Sequence, residues 1–497
     1  MMKQALLATC AVVVSFGTQA ATAGTITYDD YTGVKTGWQM ASDDAYLGSR
    51  AGCFESLVRV GYDTALEPGL AESWTQTSPK VWEFKLRKGV KFQNGEPLNA
   101  AAAVNALTNL LKAPVPARAF SPKLIAAVDA GGDDIVKITT IEPSVLLPAQ
   151  MASPATSILA PSAYKDGKVD PIGTCTGPFK ITKVDANQYM ELTANHDYWN
   201  GMPKLSGGRV NFIPDADTRA TQIRSGEVQI SRVIPPWAVK TIEATKGVKV
   251  APITVPRITE MLLNNSKPPF KDIKVRQAIR AAIDTAGIAD SIYEGVVKPA
   301  TMPFAPGEPW APQDVTPAYD VEKAKALLKE AGIAPGSLKL TLLAYTERTE
   351  LKDVAAVIQA QLQEIGIKVD VRVADYTAIE PDLLAGNFDM VLLSRGYATD
   401  VAEPIGFLNA DYTCGGGYNI SHYCSEETDK LIKSAYVAAE PAKRYAIYAE
   451  AAKRVYDEAV TVYLIHETAF DAYSDKVENF KPHPINYFIM TKDLAVK

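Results

Sequence analysis

The sequence predicts an α/β protein with parallel strands joined by crossover helices, and three adjoining segments carry that expectation. Leu338, Leu340 and Leu342 alternate with other residues, the period of a half-buried strand. Val354, Val357, Ile358, Leu362 and Ile365 then recur at helical spacing, and Gly366 supplies the stop. Ile367, Val369, Val371 and Val373 alternate again. Strand, helix and strand make a βαβ unit, whose right-handed crossover sets the two strands parallel. Just upstream, Asp320 is placed to cap a helix from Val321 to Ala331 that Gly332 ends.

The N-terminal half is richer in strands. Val81 to Leu86 alternates, and Ala100 to Leu111 reads as a helix bounded by Pro114 and Pro116. The chain has 497 residues, enough for two to four lobes with large cores. No Gly/Ser-rich linker and no repeat divides it, so strands or short crossings are expected to join the lobes.

Lys3, the apolar stretch Ala5 to Phe16 and Ala21-Thr22-Ala23 before Gly24 have the layout of a secretory signal peptide. Its apolar part is shorter than the roughly 20 residues a bilayer requires. Residues 1–23 are therefore expected to be removed near Ala23, leaving a periplasmic chain. Thr9 before Cys10 fits a lipoprotein signal poorly, which favours a soluble product over a lipid-anchored one. The net charge of −6 argues against nucleic acid as a partner, since its capture needs clustered Lys and Arg.

Cleavage would take Cys10 and leave Cys53, Cys175, Cys414 and Cys424, an even set for an oxidising compartment. Four cysteines allow three pairings. Gly415-Gly416-Gly417 lets a loop turn back tightly and favours Cys414 with Cys424, leaving Cys53 with Cys175. A loop that short gains roughly 2–3 kcal/mol from closure. A cysteine metal site is disfavoured because no C-x-x-C occurs.

Motifs for catalysis are missing. The chain has no G-x-S-x-G, no G-K-[ST] phosphate loop and no H-E-x-x-H, and His466-Glu467 lacks a second histidine. A non-enzymatic function without a cofactor or resident metal is expected. The alternative of a secreted hydrolase would need an activated nucleophile or paired acids that no motif nominates.

Other phrases are informative together. They begin with Glu55-Ser56-Leu57-Val58-Arg59, Pro68-Gly69-Leu70-Ala71-Glu72-Ser73-Trp74 and Phe84-Lys85-Leu86-Arg87-Lys88-Gly89-Val90. Asp197-Tyr198-Trp199, Ile213-Pro214-Asp215, Ser225-Gly226-Glu227-Val228, Val275-Arg276-Gln277-Ala278-Ile279 and Tyr319-Asp320-Val321-Glu322-Lys323-Ala324 follow in order. This ordered set resembles family 5 of the ABC-importer solute-binding proteins, the dipeptide-, oligopeptide- and nickel-binding class. The resemblance spans nearly the whole mature chain.

It implies a two-lobed periplasmic-binding-protein fold (type II, cluster C) with an extra subdomain on the first lobe. Lobe I would comprise 24–60, 166–265 and 471–497, the subdomain 61–165 and lobe II 266–470. It further implies a monomer that buries a small solute, expected to be a peptide, between closing lobes and passes it to the ABC permease subunits. Closure excludes water and so strengthens charge pairs around the solute.

The resemblance also nominates a site. Ser394-Arg395-Gly396-Tyr397-Ala398-Thr399-Asp400 follows the strand-like Phe388 to Leu393, at a strand end facing a cleft. Dipeptide-binding relatives carry Gly-Trp-Thr-Gly-Asp there, with the aspartate holding the peptide ammonium. Asp400 takes that place, Tyr397 stands for the tryptophan, and Arg395 precedes them. Lys352 lies near where relatives place an arginine for the ligand carboxylate, with Arg348 as its competitor. The Cys414–Cys424 loop is similar to the bridged loop of dipeptide binders and brings Tyr418 and Asn419 to the cleft.

A nickel chelate or an opine-like metallophore on the same fold is the alternative solute, with His422, Arg118 and Phe120 as contacts, because nickel favours imidazole and carboxylate. Two departures stand out. Gly173-Thr174-Cys175-Thr176-Gly177-Pro178 carries extra residues within the family's Gly-Thr-Gly-Pro phrase, and Glu403-Pro404 replaces Asp-Pro.

Overall fold

The computed structural model describes residues 24–313, 315–398 and 400–497, so the signal peptide and its cleavage site lie outside the described residues. Among these residues no helix is long and apolar enough to cross a membrane.

One large sheet organises the chain. Its strand order is Phe179–Asp185, Tyr189–Ala194, Gly207–Phe212, Thr25–Asp30, Ile230–Ser231, Thr461–Ser474, Val248–Leu263, Met390–Gly396, Lys339–Tyr345 and Lys368–Ala374. The expected βαβ unit is present. Lys339–Tyr345 and Lys368–Ala374 pair in parallel from Lys339 opposite Lys368, joined by the helix Glu350–Glu364. Gly366 follows that helix at φ +83°, a conformation a side chain would strain. The Asp320 side chain accepts from the backbone N–H of Lys323, capping Val321–Glu330.

The two central strands are the long ones, at 16 and 14 residues. Val248–Leu263 runs antiparallel to Thr461–Ser474 along almost its whole length, with a shift of register between Thr254 and Ile258. On one side of the shift Thr461–Ser474 also pairs with Ile230–Ser231. On the other side Val248–Leu263 pairs with Met390–Gly396. The strands therefore belong to two lobes at once, and the irregular stretch lies where they cross between them.

A second, four-stranded antiparallel sheet has the order Ala71–Ser78, Val81–Leu86, Ile135–Thr140, Ile125–Ala130. The helix Ala100–Leu111 packs its Ala103, Ala106, Leu107 and Leu110 face into the same core, and Asn99 caps it by accepting from the Ala102 N–H. In the second lobe, the helices Ile405–Tyr412, Glu426–Ser434 and Pro441–Asp457 enclose a separate core around Tyr397, Phe407 and Tyr448.

Both favoured disulfides form, Cys53–Cys175 and Cys414–Cys424. Cys175 thus ties the departing Gly173–Thr176 stretch to the first lobe. Beside it the Thr176 hydroxyl donates to Glu55 at 2.7 Å. The other departure is structural too. Glu403 is buried and accepts two bonds from Arg444, at 2.7 and 2.6 Å, and one from the Tyr448 hydroxyl at 2.8 Å.

The end of Thr25–Asp30 is held by charge. Asp30 accepts from Arg50 Nε at 2.7 Å and Arg232 Nη1 at 3.1 Å, and all three side chains are nearly or wholly buried. Burial alone would raise the Asp30 carboxyl, but the two guanidinium groups outweigh it and hold the pKa below the usual range. Asp30→Asn leaves both arginines without a carboxylate and is expected to cost about 3–5 kcal/mol in urea denaturation at neutral pH. Because the folded pKa is depressed, the wild-type advantage is present above the unfolded carboxylate's pKa. It should shrink as pH falls through the folded value.

Candidate functional site

The lobes meet at Asp400. Its carboxylate accepts from Arg118 Nε at 2.6 Å and Nη2 at 2.9 Å, and from the Tyr46 hydroxyl at 2.9 Å. Asp400 stands just beyond the strand Met390–Gly396 of the second lobe, while Tyr46 and Arg118 come from the first-lobe side of the chain. Tyr46 rides on the short helix Asp44–Arg50. Asp44 anchors the approach to that helix by accepting from the backbone N–H groups of Lys35, Thr36 and Trp38 at 2.9–3.0 Å. Arg50, at the helix end, is the partner of Asp30. The fixed first-lobe frame thus carries the phenol that reaches the second-lobe acid.

Arg118 is held less firmly. Its side chain is 75% exposed, and the hydrogen bonds and charge of Asp400 raise its pKa above the ordinary value. An exposed ion pair of this kind contributes little to stability, about 0–1 kcal/mol, and exchanges partners readily.

A second pair lies five residues earlier in the chain, on the strand itself. Arg395 binds Asp411 through two bonds of 2.8 and 2.7 Å, and its guanidinium stacks 4.1 Å from the centre of the Tyr418 ring. Glu260 is buried nearby, and burial, aided by the Asp411 charge, pushes its pKa up to about 8. The third cluster sits at the strand crossing. Glu467 accepts from Arg348 Nη2 at 2.9 Å, from Thr259 at 3.1 Å and from the Ser394 hydroxyl, while Arg257 Nη1 donates to Ser394 Oγ at 2.8 Å. Burial raises the Glu467 pKa, but Arg348 and Arg257 reverse the effect and leave it lowered.

The expected residues therefore divide. Asp400 and Arg118 are brought together, and Arg395 and Tyr418 stack on one another. Tyr397 is buried with its ring against Phe304 and Phe407, and its hydroxyl donates to Glu308 at 2.9 Å, so it supports the wall from behind. Phe120 is wholly buried in the first-lobe core and offers no face to a solute, which corrects its reading as a contact. Lys352 is exposed on the helix Glu350–Glu364, whereas its competitor Arg348 reaches the crossing cluster. Asn419 is spent inside the disulfide loop, donating to Thr413 O and Tyr423 O and accepting from Ser421 and Tyr423. Its amide stiffens that loop. His422 turns towards the carbonyl of Leu383 at 3.3 Å.

Tyr46, Arg257, Asp411 and Glu467 were not legible as site residues. They sit tens to hundreds of positions from their partners, and no spacing rule links them. Among the described residues no group of three or more His, Cys, Asp or Glu side chains is placed to hold a metal ion.

Comparison with known proteins identifies the family and the fold. The model for the middle region of the bacterial extracellular solute-binding proteins, family 5, matches residues 65–419. Nickel-binding protein NikA of Staphylococcus aureus is 27% identical over 444 residues, 89% of this chain and 88% of its own. Di/tripeptide-binding protein 2 of Pseudomonas aeruginosa is 28% identical over 456 residues, 84% of each chain. The crystal structure of a nickel ABC transporter protein from Bacillus halodurans matches with a TM-score of 0.83 at 27% identity, over 95% of this chain and all of its own. The shared architecture is the two-lobed periplasmic-binding-protein fold.

The Tyr397 support carries a pH signature. Burial pushes the Glu308 carboxyl up to about 7, against partial relief by bonds from Tyr397, Ala305 and Trp310. The folded state therefore keeps a proton that the unfolded chain has lost, and the stability this contributes fades as pH rises through 7. Glu308→Gln is expected to flatten the fall of melting temperature between pH 5 and pH 8. An unchanged slope would show that Glu308 titrates normally.

Proposed function

Because this chain belongs to the bacterial extracellular solute-binding proteins of family 5, the periplasmic solute-binding components of ABC transporters, we propose that its solute is a dipeptide or short oligopeptide. The single observation that carries this reading is the environment of Asp400. It is a second-lobe carboxylate at the lobe contact, and its partners are a guanidinium and a phenol from the first lobe. That is the set of charge and donors a peptide ammonium would replace or join. Arg118 holds the carboxylate from an exposed position, which would let the ammonium take over.

The rest of the cleft follows from this placement. Arg395 and Tyr418 form one wall, Tyr397 backs it, and the Cys414–Cys424 bridge holds the loop that carries Tyr418. On the same reading the protein is a monomer with its signal removed near Ala23. It has a type II, cluster C arrangement, and 61–165 elaborates the first lobe. Closure about the two crossing strands would bury the solute and present the closed form to the permease.

A second reading takes a nickel chelate as solute, favoured by the nickel-binding relative at 27% identity. With no protein-built metal cluster among the described residues, the metal would have to arrive already chelated.

Calorimetry on the mature protein separates the two. A panel of free dipeptides should bind, and N-acetylation of the best binder should weaken it about tenfold to a hundredfold, the worth of a charge-assisted hydrogen bond. Asp400→Asn should cause a loss of similar size for the free peptide and none beyond it for the acetylated one. Binding of nickel–histidine in place of every dipeptide would overturn the peptide reading.

A further inference from the structure

One cavity lies away from the contact between the lobes. About 120 Å³ in volume, it is lined wholly by first-lobe segments around 49–69, 152–154, 178–200 and 487–493. No second-lobe residue reaches it, so opening and closing of the cleft leave its walls in place. Val58, Pro68, Pro154, Trp199 and Phe488 make much of its surface apolar.

Its wall carries Glu55, Arg59, Lys492 and Asp493, and of these only Arg59 is without a hydrogen-bonded or ion-paired partner among the described residues. The Arg59 guanidinium lies over the Phe488 ring at 4.6 Å, which positions it without neutralising it. Arg59 Nε is buried and has no hydrogen-bond partner, and among the described residues Arg59 makes no ion pair. A guanidinium left without an acceptor is costly to bury, and an anion reaching its other N–H groups would relieve that cost. Both acids in the same wall are engaged by other donors. Glu55 is saturated by the Tyr198 hydroxyl at 2.7 Å, Trp199 Nε1 at 2.9 Å and the Thr176 hydroxyl at 2.7 Å. At the rim, Lys492 is already engaged with Asp493 at 3.1 Å. What the cavity lacks is an anion for Arg59 attached to something small and apolar.

We propose that this first-lobe cavity is a second binding site, for a small monocarboxylate whose apolar body of a few carbons fills the space beside Arg59. The volume sets the size, since an apolar cavity of about 150 Å³ accepts benzene. The site is independent of the solute read for the cleft. Its occupancy would stiffen the junction between the Arg59 strand and the C-terminal segment through Phe488.

Butyrate is the probe and butyramide its neutral counterpart. The mature protein, labelled with nitrogen-15 at its six tryptophan indoles, is titrated with each while the Trp199 resonance is followed. That indole lines the cavity and donates to Glu55, so its signal reports this place and no other. Butyrate should shift the Trp199 signal saturably and leave that of Trp310, in the second lobe, unmoved. Butyramide should bind about tenfold more weakly, the worth of a bond to a charged group. Arg59→Lys, which keeps the charge and removes the planar fork, should weaken butyrate severalfold. An unmoved Trp199 signal, equal binding of butyramide, or unchanged affinity in Arg59→Lys would each overturn the proposal. The first two readouts need no variant, so a poorly folding substitution cannot obscure the answer.

Discussion

The structure hangs on one pairing, that of Val248–Leu263 with Thr461–Ser474. A strand pair long enough to serve two lobes must keep its ladder intact in each while allowing one to turn against the other. The shift of register between Thr254 and Ile258 provides the irregular point, since backbone freed from a regular ladder bends at lower cost. Glu467 lies on the strand opposite that break, and Arg348, Arg257 and Ser394 converge on it. The crossing is thus pliable in its backbone and pinned by its side chains.

Charge is used in two ways in this protein. Asp30 with Arg50 and Arg232, and Glu403 with Arg444, are buried and satisfied, and they fix geometry at the expense of desolvation. The Arg118–Asp400 pair is the opposite case. One partner is three-quarters exposed, so water screens the attraction and little free energy is lost when a different cation takes over. The contrast is one of rigidity: buried ion pairs fix the frame of each lobe, and an exposed one joins the lobes where they meet.

Several candidate residues are engaged in holding their neighbours. Tyr397 leans on Glu308, Asn419 ties its own loop, and Asp411 aligns Arg395 beside Tyr418. Their hydrogen bonds fix the orientation of the side chains and loops around them, and groups fixed in this way have less ordering cost to meet in any binding event. The first-lobe cavity beside Arg59 shows the reverse, a cation positioned by an aromatic ring and left without an acceptor.

By itself the sequence determined the elements and the class. The βαβ unit, the Asp320 cap, the Gly366 stop and the two disulfides were all legible, because each depends on spacing within a short stretch or on a chemistry with few pairings. Ordered phrases along the chain carried the family resemblance. The tertiary structure alone decided where each candidate side chain sits and what it touches. Tyr397 and Phe120 have the same aromatic character as a ligand contact, and only packing shows that Phe120 is enclosed and Tyr397 braced on Glu308. The contact of Asp400 with Arg118 and Tyr46 joins residues 282 and 354 positions apart. No local pattern encodes such a meeting, because it is fixed by how two lobes dock across a pair of crossing strands.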